Sequence, residues 1–266
     1  MPELPEVETI RKQLSKKLPF EISRVETSEV VGSILKTEDF SPQGLVIKKI
    51  KRKGKLLEFV LNDDKRILSH LGMSGSWRIS NSPTGEKHAH VVLSGPKGYL
   101  SYIDPRRFGN MYFVSKLKAQ LHLDRLGVDI GSPQFTPEYV YEVLKKFPNK
   151  QLKPFLLDQA YFAGSGNYIA CEICARAGIR PSRRCGKVTK KECLKIVEGT
   201  KSVLTGSLKR NGMTFSGGYV DAFGEKGDGV ENLVVFAQKE CGLCGGIVKK
   251  TVLAQRGTYY CPSCQK

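Results

Sequence analysis

Four cysteines near the end of the chain carry the plainest chemistry. Cys241, Cys244, Cys261 and Cys264 form two C-x2-C pairs separated by sixteen residues. Each short pair can set two thiolates on one knuckle, and a hairpin within residues 245–260 would return the second knuckle to the first. Four thiolates suit one structural zinc ion in a closed tetrahedron, which leaves no open position for the metal to take part in catalysis. A disulfide framework is the weaker reading, because the N-terminus shows no basic-then-apolar leader. Cys171, Cys174, Cys185 and Cys193 read differently. The first two lie in the apolar helical run 168–175, where small buried thiols are common. The other two fall at irregular spacing, so a second zinc site is disfavoured.

The second chemical signal is cationic. The 266 residues hold 43 Lys plus Arg against 26 Asp plus Glu, a formal charge of +17, which points to a polyanionic partner and most simply to nucleic acid. Residues 48–55 carry six cations, and residues 178–191 carry six more (Arg180, Arg183, Arg184, Lys187, Lys190, Lys191) with no acid among them. Such runs are often only solvated faces. Two of them in different halves, with Arg256 inside the cysteine hairpin, fit the walls of a phosphate-lined groove better. Affinity would then come chiefly from phosphate neutralisation and fall steeply with salt. No run approaches the ~18 apolar residues of a membrane span.

The elements that must position these groups follow from periodicity. Val7, Ile10, Leu14 and Leu18 predict a helix over residues 2–18 that starts near Pro5, with acids early and lysines late, as the helix dipole prefers. From about 22 to 114, short β-rich runs at 44–50, 55–61, 66–71 and 90–93, with a turn at Asn62-Asp63-Asp64, predict an antiparallel sandwich or barrel. Gly127, Gly131, Ser132, Pro133 and Pro137 mark a linker. Helices are expected over 137–147, with Thr136 as its cap, and over 151–158, 167–177 and 189–209. The fold class is therefore α+β: an N-terminal helix with an antiparallel β-sandwich, then a helical half closed by a zinc ribbon. The boundaries are drawn at 1–128, 129–232 and 233–266.

The opening Met1-Pro2-Glu3-Leu4-Pro5-Glu6-Val7-Glu8-Thr9 closely resembles the start of the bacterial formamidopyrimidine-DNA glycosylases. The resemblance runs the whole chain. It continues through Lys55 after Arg52-Lys53-Gly54, His70-Leu71-Gly72-Met73-Ser74-Gly75 and Asp104-Pro105-Arg106-Arg107-Phe108-Gly109. It ends with Gly164-Ser165-Gly166-Asn167, which matches the family's helix–two-turn–helix motif, and Ala254-Gln255-Arg256-Gly257-Thr258 ahead of Cys261. It implies base-excision repair: removal of 8-oxoguanine and formamidopyrimidines from duplex DNA, then cleavage of the abasic strand. Pro2, Glu3, Lys55 and Arg256 fall in the catalytic group. Lys55, His70, Asn167 and Arg256 match phosphate ligands around the extruded nucleotide, and Glu6 orients the amine or the lesion. Met73, Arg106 and Phe108 match the residues that fill the gap the flipped nucleotide leaves.

The chemistry is consistent with the residue types. Removal of Met1, which a small second residue permits, exposes a secondary amine on Pro2. An α-amino group has a pKa of roughly 7.7–8.0, so a useful fraction is neutral near pH 7. That amine can attack C1′ of a deoxyribose, release the base and leave an iminium ion. Glu3 needs proximity more than an extreme pKa to move protons during base loss and elimination. Apart from the resemblance, Pro2 would merely start a helix and Glu3 and Glu6 would complement its dipole. Two departures bear on substrate. Tyr168 follows Asn167, a pattern more similar to the endonuclease VIII branch, and Gly217–Gly224 occupies the base-capping loop in an uncommon form. Oxidised pyrimidines as substrates, or an abasic-site lyase alone, therefore stay open. A non-catalytic zinc-ribbon DNA-binding protein is the rival outside enzymes, and it has no need of Pro2-Glu3. A cytoplasmic monomer, bacterial and bound to the nucleoid through DNA, completes the expectation.

Overall fold

The computed structural model describes residues 2–83, 85–215 and 218–266; Met1 and Gly217, which the sequence reading uses, lie outside them. Contacts divide the chain into two units, Met1–Arg125 with Arg210–Asp228, and Leu126–Lys209 with Gly229–Lys266. The sequence reading runs one domain unbroken from 129 to 232. Contacts instead return residues 210–228 to the β-rich unit, a long-range choice that local pattern does not encode.

In the first unit, helix Leu4–Ser15 has Glu3 as its N-cap residue and Pro5 in its first turn, where a missing N–H costs nothing. Leu4, Val7, Ile10 and Leu14 form its buried stripe. The helix stops short of Leu18, because Pro19 turns the residue before it away from the α region. A six-stranded sheet runs Phe20–Glu21, Val46–Lys53, Leu56–Leu61, Lys65–His70, Asn110–Ser115, Leu35–Glu38 in spatial order. Its last pairing is parallel, an exception to the antiparallel expectation. A four-stranded antiparallel sheet runs Arg24–Thr27, Ala89–Gly95, Gly98–Ile103, Ser76–Ser80. The two sheets meet at Trp77, whose ring lies 4.9 Å from Phe59 and 5.6 Å from Tyr102, and whose indole N–H donates to Ser69 Oγ at 3.0 Å. The predicted turn at 62–64 has Asp63 and Asp64 at φ 54° and 53°, the left-handed pair that suits a tight hairpin. Helix Lys116–Asp124 was not expected. It buries only Ala119 and exposes Leu117 and Leu121, so it leaves no amphipathic signature.

In the second unit, helix Pro137–Lys146 is capped by Thr136, whose Oγ1 accepts the Tyr139 N–H at 3.2 Å. The helix expected over 151–158 shrinks to Leu152–Phe155, and the chain continues through i→i+3 bonds from Leu157 to Pro154 and from Asp158 to Phe155. Helices Asn167–Arg176 and Lys190–Leu208 stand where expected. Hairpin Lys249–Leu253 with Arg256–Tyr260 lies between the two cysteine pairs. Cys171, Cys174, Cys185 and Cys193 are buried thiols that take part in no disulfide. Among the described residues, Cys241, Cys244, Cys261 and Cys264 are the only group placed to hold a metal, and no helix is long and apolar enough to cross a membrane.

Candidate active site and DNA-contacting elements

Three of the candidate residues gather at the first turn of helix Leu4–Ser15. Pro2 and Glu3 are buried just ahead of it. Glu6 turns back to accept the Glu3 N–H on Oε2 at 2.8 Å, which satisfies one of the orphan amides of a helix start. Its other oxygen accepts the Met213 N–H at 2.8 Å. Gly212 makes that approach possible. It sits at φ +91°, and a Cβ there would lie 3.0 Å from Glu6 Cγ. One carboxylate thus fixes the backbone beside Pro2 and the return segment together.

Lys55 follows Gly54 in the turn between strands Val46–Lys53 and Leu56–Leu61. Arg52 sets that turn: its Nη1 donates to Gly54 O at 2.9 Å while its Nε bonds Glu8 at 3.0 Å. Cross-strand register puts His70 opposite Leu56, next to Lys55. Burial, and then the Lys55 ammonium, push His70 down to about 4, so the ring is neutral at pH 7. Its Nδ1 accepts the Gly72 N–H at 3.2 Å, which leaves Nε2 to carry the proton and act as a donor. Lys55 is only 9% exposed, so a snug cationic corner results rather than a flexible surface charge.

Met73, Arg106 and Phe108 are presented by two loops locked onto a buried aspartate. Asp104 accepts Ser74 Oγ–H at 2.6 Å, the Gly109 N–H at 2.7 Å and the Arg106 N–H at 3.3 Å. A Cβ on Gly72 would lie 2.4 Å from the Phe108 carbonyl, so the loops touch backbone to backbone. The result is an exposed aromatic, Phe108 at 50%, with the Arg106 guanidinium 4.7 Å from its ring centroid and Met73 also exposed.

The second unit carries the remaining two candidates. Asn167 opens helix Asn167–Arg176 and donates from Nδ2 to Gly257 O at 3.0 Å, so it is tied to the residue after Arg256. Lys153, which the sequence reading passed over, is fully buried and donates to Asn167 Oδ1 at 2.6 Å. Arg256 is exposed beside the turn made by Ala254 and Gln255, both at positive φ. Glu172 was also passed over. It is fully buried and gathers the N–H groups of Val234, Val235 and Phe236 at 2.9 Å each. Burial raises its pKa against those bonds. Neither residue has a signal in the sequence beyond a charged residue in an apolar run.

The four cysteine sulfurs all lie within 4.8 Å of one another. A zinc tetrahedron with bonds near 2.3 Å has S···S edges of about 3.8 Å. Cys241 to Cys264 is 3.8 Å and Cys244 to Cys261 is 3.6 Å, while Cys244 to Cys264 is shorter than such an edge at 2.8 Å. A Cβ on Gly246 would come within 3.3 Å of two of the sulfurs, so a bare residue is needed there. The donor set fits one structural zinc ion. The basic run 178–191 is less free than its composition implies. Arg180 donates to Gln265 O at 3.1 Å, Arg183 bonds Glu192 and Lys266 O, and Arg184 donates to Asn149 O at 2.9 Å. Lys187, Lys190 and Lys191 remain exposed.

Comparison with known proteins agrees with this geometry. Family models described as the formamidopyrimidine-DNA glycosylase N-terminal domain, its H2TH domain, and a zinc finger found in FPG and IleRS match residues 1–111, 126–217 and 238–266. A formamidopyrimidine-DNA glycosylase of Bacillus anthracis is 36% identical over 284 residues, covering 100% of this chain and 99% of that protein. The chain belongs to the formamidopyrimidine-DNA glycosylase family. Among solved family members, a mutant Lactococcus lactis enzyme in complex with Fapy-dG-containing DNA superposes with a TM-score of 0.88 at 30% identity, covering 100% of both chains. The glycosylase of Thermus thermophilus gives 0.88 at 31% identity, covering 99% of this chain and 98% of that one. In family terms, Asn167 belongs to the H2TH domain and Arg256 to the zinc finger.

Proposed function

We propose that this chain is a bifunctional DNA glycosylase and abasic-site lyase of base-excision repair, acting on oxidised purines in duplex DNA through the amine of Pro2. The observation that carries the reading is the pairing of Pro2 with Glu3 at the capped start of a helix, its backbone held by Glu6. A DNA-binding module needs neither residue. The neutral amine attacks C1′; the C1′–N bond breaks and its electron pair leaves with the base, which takes up a proton. The attached amine gives up its proton, the C1′–O4′ bond breaks as the ring oxygen is protonated, and the iminium so formed acidifies the C2′ proton. Loss of that proton expels the 3′ phosphate, and a second elimination expels the 5′ phosphate. Glu3 moves protons at the sugar ring oxygen and C2′. Lys55 supplies a fixed charge and His70 a neutral Nε2–H donor to phosphate. Asn167 offers its amide at a helix start, where N–H groups favour an anion, and Arg256 offers a guanidinium fork. Phe108 wedges the stack, Met73 fills the void and Arg106 bonds the orphaned base. The zinc ion holds the ribbon hairpin that carries Arg256 and takes no part in bond breaking. We place the enzyme in the bacterial cytoplasm, as a monomer on nucleoid DNA.

Oxidised pyrimidines are the second reading. It is supported by Tyr168 after Asn167, and one Lactococcus lactis relative has been solved with DNA containing an oxidised pyrimidine. Borohydride trapping on duplexes bearing 8-oxoguanine, dihydrouracil or an abasic site, with Pro2→Gly and Glu3→Gln beside wild type, tests the scheme. A covalent band on 8-oxoguanine and abasic DNA, mapped to Pro2 by peptide mass, is the expected result. A band on abasic DNA alone reduces the protein to a lyase. Tight binding with no band sinks the enzyme reading, and faster action on dihydrouracil reverses the substrate assignment.

A further inference from the structure

A lysine at the tip of a hairpin ordinarily points into water. Lys55 does not. It takes the second position of the two-residue loop that joins Val46–Lys53 to Leu56–Leu61, yet it is buried. Gly54, at the first position, has φ +58°, the conformation that lets a glycine lead such a loop. That fixes the shape of the loop but not its place against the rest of the unit. Two neighbouring cations fix the place.

Arg52 reaches in two directions. Its Nε donates to Glu8 Oε2 at 3.0 Å and its Nη1 to the Gly54 carbonyl at 2.9 Å. Glu8 is held in turn by Arg11, which donates from Nε to Oε2 at 2.9 Å and from Nη2 to Oε1 at 2.7 Å. Burial alone would raise the Glu8 carboxyl, but the Arg11 bonds and the Arg52 charge outweigh it and bring it below the usual carboxylate value. On the other flank, Lys53 Nζ donates to Leu123 O at 2.9 Å, near the end of helix Lys116–Asp124, where a cation suits the dipole. Two of the six cations in residues 48–55 are therefore committed to groups of the protein itself, and both of them adjoin the loop.

We propose that Arg52, anchored by Glu8, is a positioning residue for the Lys55 ammonium: it touches no phosphate itself and holds the hairpin tip where Lys55 meets one. The inference rests on the reading of Lys55 as a phosphate ligand and deepens it. A lysine on a loose loop gives up much rotamer and backbone freedom when it binds a phosphate, whereas one on a locked loop has already given it up in folding. The lock depends on shape as well as charge. A lysine at position 52 keeps the charge and loses the planar fork that serves Glu8 and Gly54 O together.

Arg52→Lys is therefore the deciding change. Single-turnover rates are measured on 8-oxoguanine and abasic duplexes with full-length zinc-loaded wild type, Arg52→Lys, Lys55→Met and the variant carrying both. Arg52→Lys is expected to slow both reactions about ten-fold or more, the scale of one buried hydrogen bond to a charged group. It should add little to the loss in Lys55→Met, because a residue that acts through Lys55 then has nothing to position. His70 senses the Lys55 ammonium, so its ring should titrate higher in Arg52→Lys than in wild type, toward the Lys55→Met value. Glu8→Gln, which keeps Arg52 and weakens its anchor, should move rates and titration the same way by less, and it carries the test if Arg52→Lys does not fold. Wild-type rates in Arg52→Lys overturn the proposal, and so does a full further loss on top of Lys55→Met or a His70 titration unchanged from wild type. A Lys55→Met protein that cleaves abasic DNA at the wild-type rate would overturn the phosphate role of Lys55 itself, a failure seen without any change at position 52.

Discussion

The neutrality of His70 is the sharpest quantitative consequence of the site. Burial is the larger cause and the Lys55 ammonium the smaller, and together they bring the ring from 6.5 to about 4. That change is worth about 3 kcal/mol in favour of the neutral ring in the folded protein. Because the folded value lies below the unfolded one, the associated stability is complete above pH 6.5 and is lost as pH falls from 6.5 toward 4. The perturbation is a pH titration of wild type and of Lys55→Met, followed by 15N-detected ring shifts. Wild type should titrate near pH 4 and show the Nε2–H tautomer through the neutral range, because Nδ1 is occupied by the Gly72 N–H. Lys55→Met should raise the value yet leave it below 6.5, since burial remains. Duplex DNA should raise it in wild type, because a phosphate then faces the ring. A wild-type value near 6.5, or an Nδ1–H tautomer, refutes the reasoning.

Three further outcomes are expected. Gly72→Ala should destabilise the protein by about 2 kcal/mol or more in urea unfolding, because its φ is +63° and its Cβ would meet the Phe108 carbonyl at 2.4 Å. Phe108→Ala should change the unfolding midpoint little, about 0.5 kcal/mol or less for so exposed a residue, while slowing excision from duplex DNA, read by single-turnover assay. Cys244→Ser should abolish stoichiometric zinc, measured by mass spectrometry of the metal, and weaken DNA binding by loosening the hairpin that presents Arg256, while the β-rich unit keeps its near-ultraviolet Trp77 signal.

The sequence was most informative where geometry is local. The stripe Val7, Ile10, Leu14 located the first helix, Thr136 and Thr189 marked helix starts, and the two C-x2-C pairs located the metal cluster. It was silent where partners are remote. Lys153 and Glu172 look like ordinary charged residues until the fold buries them against Asn167 and against the 234–236 backbone. Composition misled in the run 178–191, where three arginines are spent on backbone carbonyls and Glu192. Periodicity failed for Lys116–Asp124, whose Leu117 and Leu121 point outward, and for the return of residues 210–228, which no short window contains.

That return has a consequence for how the protein is made. Glu6 and Met213 are 207 positions apart, and Gln13 and Ala222 are 209 apart. At bacterial synthesis rates of about 5–20 residues per second, the helix that begins beside Pro2 leaves the ribosome roughly 10–40 s before the segment that clasps it. Through that interval Glu6 and Gln13 lack the Met213 and Ala222 N–H groups that they later hold, and the start of the helix has no finished setting. A chain interrupted before residue 213 would carry Pro2 and Glu3 but not their frame. The order of translation thus makes the capacity to open DNA backbones one of the last properties the molecule acquires.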